Sequence, residues 1–395
     1  MLSKVFESCL LRRLSPFLTT SGRQFGFKKG VGCNHAIFTV RKTIDYFTSN
    51  RSTVNICTLD VRKAFDVLNH NVLFMKLMDR NAPIFFIKLL RCWYSKVYTA
   101  VKWGSVISDY VRLSSGVRQG GILSPYLFAV FVDDILNNLS KSGLGCYINC
   151  VCFNSFMYAD DVILLSLSLH QMQLMINFCL EQFDAIGMNI NVDKSGCMRI
   201  GERHNACTKP MYINNIALNW NQEIRYLGIN ILSGRRFNFN MQNIKQKYFR
   251  ALNGIFGKVG LNTAPDVLCS LIDSQCVPIL LFAAEALNWN KKLLKSLENA
   301  FNQAFFKIFK TFDKHVIEQC QFYMGYLPVS LLLDVKKLNF HTKIRCMEFN
   351  SMHIVVNRGA DEYTALCSKY YFPIDLQYFN FKRAMWTYFE RSLLI

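Results

Sequence analysis

The stretch FMYADDVILL, Phe156 to Leu165, constrains the fold most. Its apolar flanks read as two buried strands, with the adjacent acids Asp160 and Asp161 in the turn that joins them. Two carboxylates about 4 Å apart repel by roughly 4 kcal/mol at an effective dielectric near 20. A fold tolerates this through a raised pKa, a turn into water or a bound cation. Taken alone, the pair leaves a plain solvated hairpin turn open. A second apolar strand, VNICTL (Val54–Leu59), ends on Asp60. If the strands neighbour each other in one sheet, three carboxylates converge at one edge. Such a cluster suits a pair of Mg²⁺ ions, which take a few carboxylates plus water and substrate phosphates. Asp66, at helix phase, points elsewhere.

The formal charge of the 395 residues is +19, spread along the chain, and such a field favours nucleic acid or an anionic membrane surface. No run of eighteen uninterrupted apolar residues occurs; the strongest candidate, CVPILLFAAEALNW, is broken by Pro278 and Glu285 and reads as a buried helix. Nucleic acid is therefore the expected partner and no membrane is. The 51% hydrophobic content excludes a mainly disordered chain. Fifteen cysteines show no C-x-x-C pair. The group Cys146, Cys150 and Cys152 reads as small apolar side chains in a strand, and His341, Cys346 and His353 lack a zinc-finger spacing. With no signal peptide visible, reduced thiols and a place in nucleus and/or cytoplasm are expected.

Residues 1–50 hold eight Lys or Arg against two acids, with helical spacing in SKVFESCLLRRL and from Asn34 to Phe47 around the glycine-punctuated loop GRQFGFKKGVG. RKAFDVLNHNVLFMKLMDR and IFFIKLLRCWYSKV also read as helical, and YTAVKWG with YVRLSSG as a hairpin. HQMQLMINFCLEQFDAIG is an amphipathic helix closed by Gly187. Beyond residue 235 the chain turns helical and basic: Arg235 to Lys314 contains twelve Lys or Arg and five acids.

The order DVRKAFD (Asp60–Asp66), SSGVRQGGILSPYLF (Ser114–Phe128) and YADD (Tyr158–Asp161) resembles a reverse transcriptase palm. IGMNINVDKSG (Ile186–Gly196), IRYLGINI (Ile224–Ile231) and QFGFKKG (Gln24–Gly30) resemble the neighbouring blocks of that family, in order, and the closest flavour is that of non-LTR, LINE-type retrotransposons. The resemblance implies an α+β fold: a right-hand polymerase palm, an antiparallel sheet with helices on one face, with partial fingers and an all-α thumb. The implied divisions are 1–50 partial fingers, 51–235 palm, 236–330 helical thumb and 331–395 a C-terminal helical extension of unknown role.

By the same resemblance Asp60, Asp160 and Asp161 bind two Mg²⁺ ions (Mn²⁺ being the alternative), with the Val61 carbonyl as a further ligand. Phe65 would pack under the incoming sugar and exclude a 2′-hydroxyl, although a helix-face core residue has the same pattern. Gln119 and Gly120 of the RQGG turn would meet the nucleotide, since glycine allows close backbone approach; the plain alternative is a turn. Ser124 and Pro125 suit the next helix start. Lys194 would protonate the leaving pyrophosphate, a role worth about a hundredfold, or be an exposed loop lysine. Tyr226, Leu227 and Gly228 would grip the primer end, or simply close a strand. Basic residues after 235, among them Lys245, Lys247 and Arg250, would track phosphates. The family's earlier block, ending in Arg-Pro-Ile, is not in the sequence, nor are an endonuclease region and a Cys/His knuckle. The expectation is a piece of a retrotransposon polyprotein that copies RNA into DNA from dNTPs on a primer; the alternative is a weakly active or inactive nucleic-acid-binding remnant.

Overall fold

The computed structural model describes residues 2–260, 263–347, 360–373 and 379–393; His353 and the middle of the aromatic stretch 370–381 lie outside them. The elements begin with α1 (Leu2–Leu14), α2 (Cys33–Ser49), β1 (Val54–Val61), α3 (Ala64–Val67), α4 (His70–Asp79) and α5 (Ile84–Ser95). Four two-residue strands follow, β2 (Tyr98–Thr99), β3 (Lys102–Trp103), β4 (Val106–Ile107) and β5 (Val111–Arg112), paired as β2 with β5 and β3 with β4. Next come α6 (Ser124–Lys141), β6 (Tyr147–Ile148), β7 (Val151–Cys152), β8 (Ser155–Tyr158), β9 (Asp161–Ser166), α7 (Leu169–Ala185) and β10 (Ile190–Ile200). Two compact units emerge, one of residues 1–36, 46–224 and 233–236, the other of 37–45, 225–232 and 237–395.

The first unit is built on a four-stranded antiparallel sheet in the order β10-β1-β9-β8. β1 lies between two partners, and its near-continuous burial explains why its sequence reads apolar rather than alternating. Helices α6 and α7 pack against the sheet. Helix α6 is buried without a break from Leu127 to Asp133, so it is a core helix rather than an amphipathic one. Its Asp133 receives the Ser21 amide at 2.8 Å and Arg80 at 3.0 Å. The helical pattern expected through RKAFDVLNHNVLFMKLMDR breaks in two, because the Asn69 side chain caps a new helix by accepting from the amides of Asn71 and Val72. In the glycine-punctuated loop before α2, Lys28 donates to the carbonyls of Thr20 and Ser21, and burial lowers its ammonium to about 8. Cys146 and Cys152 are buried at the β6–β7 hairpin, where burial pushes the Cys146 thiol well above its ordinary value.

The first unit also holds β11 (Met211–Ile213) and β12 (Ile216–Leu218); β13 (Glu223–Tyr226) crosses out of it, and the second unit holds β14 (Ile229–Leu232) and β15 (Asn238–Asn240). Its helices are α8 (Gln242–Val259), α9 (Pro265–Gln275), α10 (Val277–Leu280), α11 (Lys291–Phe309), α12 (Lys314–Tyr323), α13 (Val329–Arg345), Ala360–Tyr370 and Phe381–Leu393. Leu297, Phe301 and Phe305 of α11 recur at four-residue spacing and are all buried, which gives α11 its core stripe. The 22 residues Pro265–Ala286 correct one expectation: by length and composition they suffice to cross a membrane. In this fold they are not one straight helix, since α9 ends at Gln275 and Ala283 takes a left-handed φ of 51° before a 3-10 turn. In the same unit Phe372 stacks on Tyr370 at 5.7 Å and packs at a tilt against Phe379 and Phe381 at 5.2 and 5.8 Å.

Arg41 is among the largest fully buried side chains of the described residues, and its partners lie with it in the second unit. It forks onto Glu362 at 2.9 and 3.0 Å and also donates to Asn288. Lys42 reaches Glu362 at 2.7 Å and Asp45 stands 3.9 Å from Arg41. Burial opposes the Glu362 charge, but His341, Arg41 and Lys42 outweigh it and hold that carboxyl far below the usual range.

Candidate active site

β1 and β9 run antiparallel with Asp60 directly opposite Asp161. Residues opposite each other in such a pair present side chains on the same face, about 5 Å apart at Cβ. Asp160 precedes Asp161 in the turn, after Ala159 at a left-handed φ of 58°. Burial raises the Asp160 carboxyl above its ordinary value, and the charge of Asp60 adds to the rise against the pull of its own backbone amide and of Lys194.

Lys194 reaches this group because β10 bulges. Thr58 pairs with Gly196 but Asp60 pairs with Asn191, so β10 spends extra residues opposite two steps of β1. A bulge re-aims side chains beside a site. Here Ser195 holds it, its hydroxyl donating to the Asn191 carbonyl at 2.7 Å and accepting the Asp60 amide at 3.2 Å. Lys194 Nζ then stands 3.9 Å from Asp60 Oδ2, with its side chain 70% exposed. The lysine thus sits in a strand, not in the loop that its polar neighbours suggest.

The RQGG turn packs on α3. The Val117 amide donates to the Phe65 carbonyl at 2.8 Å, and a Cβ on Gly116 would meet the α3 backbone at 2.7 Å. Gln119 donates to Asp66 Oδ1 at 3.2 Å, so the exposed Asp66 is the partner of this glutamine. Gly120 has φ 75° and open space around its Cβ position. Half-buried Phe65 stacks on Phe128 at 4.3 Å and meets Phe27 edge-on at 6.2 Å. Ser124 and Pro125 open α6, with the Ser124 hydroxyl donating to the Arg118 carbonyl at 2.6 Å.

Glu7, invisible to sequence reasoning, holds that turn from behind. Only 3% exposed, it accepts the amides of Ile122 at 2.5 Å and Leu123 at 3.3 Å and pairs with Arg118 at 3.3 Å. A lone acid on the buried stripe with Leu10 and Leu14 was its only sequence signal. Replacing Glu7 by Ala leaves two amides and a cation short of a buried partner. The expected loss is about 1.5–3 kcal/mol in urea unfolding, and an unchanged midpoint would contradict this role.

Tyr226, Leu227 and Gly228 belong to the second unit. Leu227 (φ 45°) and Gly228 (φ 85°) form the two-residue turn between β13 and β14, and both left-handed values are those a tight hairpin requires. Tyr226 is buried, and a Cβ on Gly228 would stand 3.1 Å from the Phe282 ring.

Among the described residues no three Asp, Glu, His or Cys side chains are already gathered to hold one metal ion. The donor set nevertheless suits a hard divalent cation: carboxylates on one sheet face, one of them raised in part by its acidic neighbour. An antiparallel sheet bearing these acids at the end of its middle strands, with helices packed on it, is a polymerase palm.

Residues 1–231 match the family model described as reverse transcriptase (RNA-dependent DNA polymerase). The chain is 27% identical over 248 residues to the Retrovirus-related Pol polyprotein from type-2 retrotransposable element R2DM of Drosophila melanogaster, covering 61% of this chain and 23% of that one. It is 26% identical over 249 residues to the probable RNA-directed DNA polymerase from transposon X-element of the same fly, covering 60% of this chain and 26% of that one. Apo telomerase from Candida tropicalis aligns over 97% of this chain and 61% of its own, at 13% identity and a TM-score of 0.48. The chain belongs to the reverse transcriptase family, among the non-LTR retrotransposon members, and spans about a quarter of the length of these two retrotransposon relatives.

Proposed function

We propose that the chain is an RNA-directed DNA polymerase that extends a DNA primer with dNTPs on an RNA template. The juxtaposition that carries this reading is Asp60 opposite Asp161, with Asp160 in the adjoining turn and Lys194 3.9 Å from Asp60. Asp60, Asp160, Asp161 and the Val61 carbonyl would hold two Mg²⁺ ions (or Mn²⁺), which when bound activate the primer hydroxyl and neutralise the leaving oxygen. Lys194, exposed at its tip, gives a proton to the leaving pyrophosphate. Gln119 exchanges its bond to Asp66 for one to the nucleotide sugar, and Gly120 lets the backbone approach. Tyr226, Leu227 and Gly228 grip the primer end. Residues 1–50 serve as partial fingers, 51–235 as palm and 236–330 as thumb, whose basic helix α8 follows the duplex phosphates; 331–395 form a C-terminal helical extension of unknown role, and the protein works in nucleus and/or cytoplasm. Extension of oligo(dT) on poly(rA) tests the reading. DNA synthesis that requires a divalent cation supports it, whereas salt-sensitive binding without extension favours the inactive remnant.

Phe65 carries the sugar preference. Its ring stacks on Phe128, and a ring held there supports a steric clash with a 2′-hydroxyl. Phe65→Val should raise the relative use of ribonucleotides about 10- to 100-fold, read as the ratio of kcat/KM for rTTP and dTTP. An unchanged ratio would make Phe65 a packing residue only.

A further inference from the structure

We infer that Gln24 is a positioning residue that fixes the Asp160–Asp161 turn from outside the sheet. Segment Arg23–Phe25 lies along the free edge of β8: the Met157 amide donates to the Arg23 carbonyl at 3.0 Å and the Phe25 amide to the Met157 carbonyl at 2.8 Å. This seat carries Gln24, wholly buried, to the turn itself. Its Oε1 accepts the Ala159 amide at 3.3 Å and the Gly26 amide at 3.0 Å, while Nε2 points back to the Ala159 carbonyl at 3.5 Å. Ala159 therefore has both of its backbone polar groups addressed by one side chain.

That residue is the one which needs holding. Its left-handed φ of 58° is disfavoured for any side chain with a Cβ, and it immediately precedes Asp160. An amide at position 24 supplies acceptor and donor together without burying a charge. Gly26 permits the approach, since a Cβ there would stand 2.6 Å from the Ala159 nitrogen. Fingers-side sequence thus shapes the acid turn through two backbone atoms and without touching a carboxylate.

The inference rests on the proposed cation site, and its test separates the two. Mn²⁺ binding to the nucleotide-free full chain is titrated by electron paramagnetic resonance, beside thermal melting. Asp160→Asn is the reference: if it leaves Mn²⁺ affinity unchanged, the cation site itself is wrong and Gln24 has nothing to position. If it weakens binding, Gln24→Met (volume kept, hydrogen bonds lost) and Gln24→Asn (amide kept, reach shortened) decide. Support partners of metal ligands typically change affinity about 10- to 100-fold, so at least one cooperatively melting variant should lose about tenfold. Folded variants that bind Mn²⁺ within twofold of the parent overturn the proposal. So does failure of both to fold, which would make Gln24 a core residue first.

Discussion

Asp160→Asn should abolish DNA synthesis and at the same time stabilise the metal-free protein. Loss of activity follows from removing a carboxylate from a three-acid group. Weakening only a support of a metal ligand typically costs 10- to 100-fold, so deleting the proposed ligand Asp160 should cost more than about 100-fold in kcat/KM. The stabilisation follows from the raised Asp160 carboxyl, which burial and then Asp60 hold above its ordinary value. A group raised in the folded state binds its proton more tightly there than in the unfolded chain. Stability therefore falls as pH climbs from the unfolded pKa through the folded one, and asparagine removes that fall. Without divalent ions the variant should melt about 1–2 °C above the parent near neutral pH, since the group is part-exposed, and level with it in acid. Persistent primer extension, or a lower neutral melting point, would contradict the site.

The second large effect lies in the other unit. Glu362→Ala strips the bidentate partner from the fully buried Arg41. Breaking a buried pair from one side costs about 3–5 kcal/mol because the remaining charge lacks compensation. Asn288 and Asp45 still face the guanidinium, so the lower end, about 3 kcal/mol, is the expected loss in denaturant unfolding. The double variant Arg41→Met with Glu362→Leu should recover part of it, because it removes the buried guanidinium together with its carboxylate, while Lys42 and Asp45 each lose one partner. Since the Glu362 carboxyl is held far below its ordinary value, the contribution is complete at neutral pH. It fades only as acid passes below the usual carboxylate range. A single variant that unfolds with the parent would show that water reaches Arg41.

How far the molecule was legible depends on the range of each interaction. Strands β1, β8 and β9 and helix α7 declare themselves through local apolar patterning and a closing glycine, and the acids at the strand ends follow from the same pattern. Polar pairings have no period. Gln24 and Ala159 are 135 residues apart, Glu7 and Ile122 are 115 apart, and Arg41 and Glu362 are 321 apart. No spacing rule reaches that distance. The β10 bulge was hidden for a related reason: Asp193 and Lys194 look like a loop until β1 supplies the partner that turns them into an irregular strand. Pro265–Ala286 misled in the opposite sense, because scattered polar residues interrupt an apolar run without lowering its average enough to bar a span.

Helix α2 starts in one unit, yet its turns from Ile37 to Asp45 count with the other. Cutting the chain after Arg236 would therefore not separate the gene into two self-sufficient halves. The C-terminal half would keep Asn288 and Glu362 but lose their guanidinium, while the N-terminal half would lose the Phe340 ring that packs on buried Phe38. Both halves would be inclined to precipitate, and complementation from two plasmids, rather than either half alone, is the form in which such a split would work.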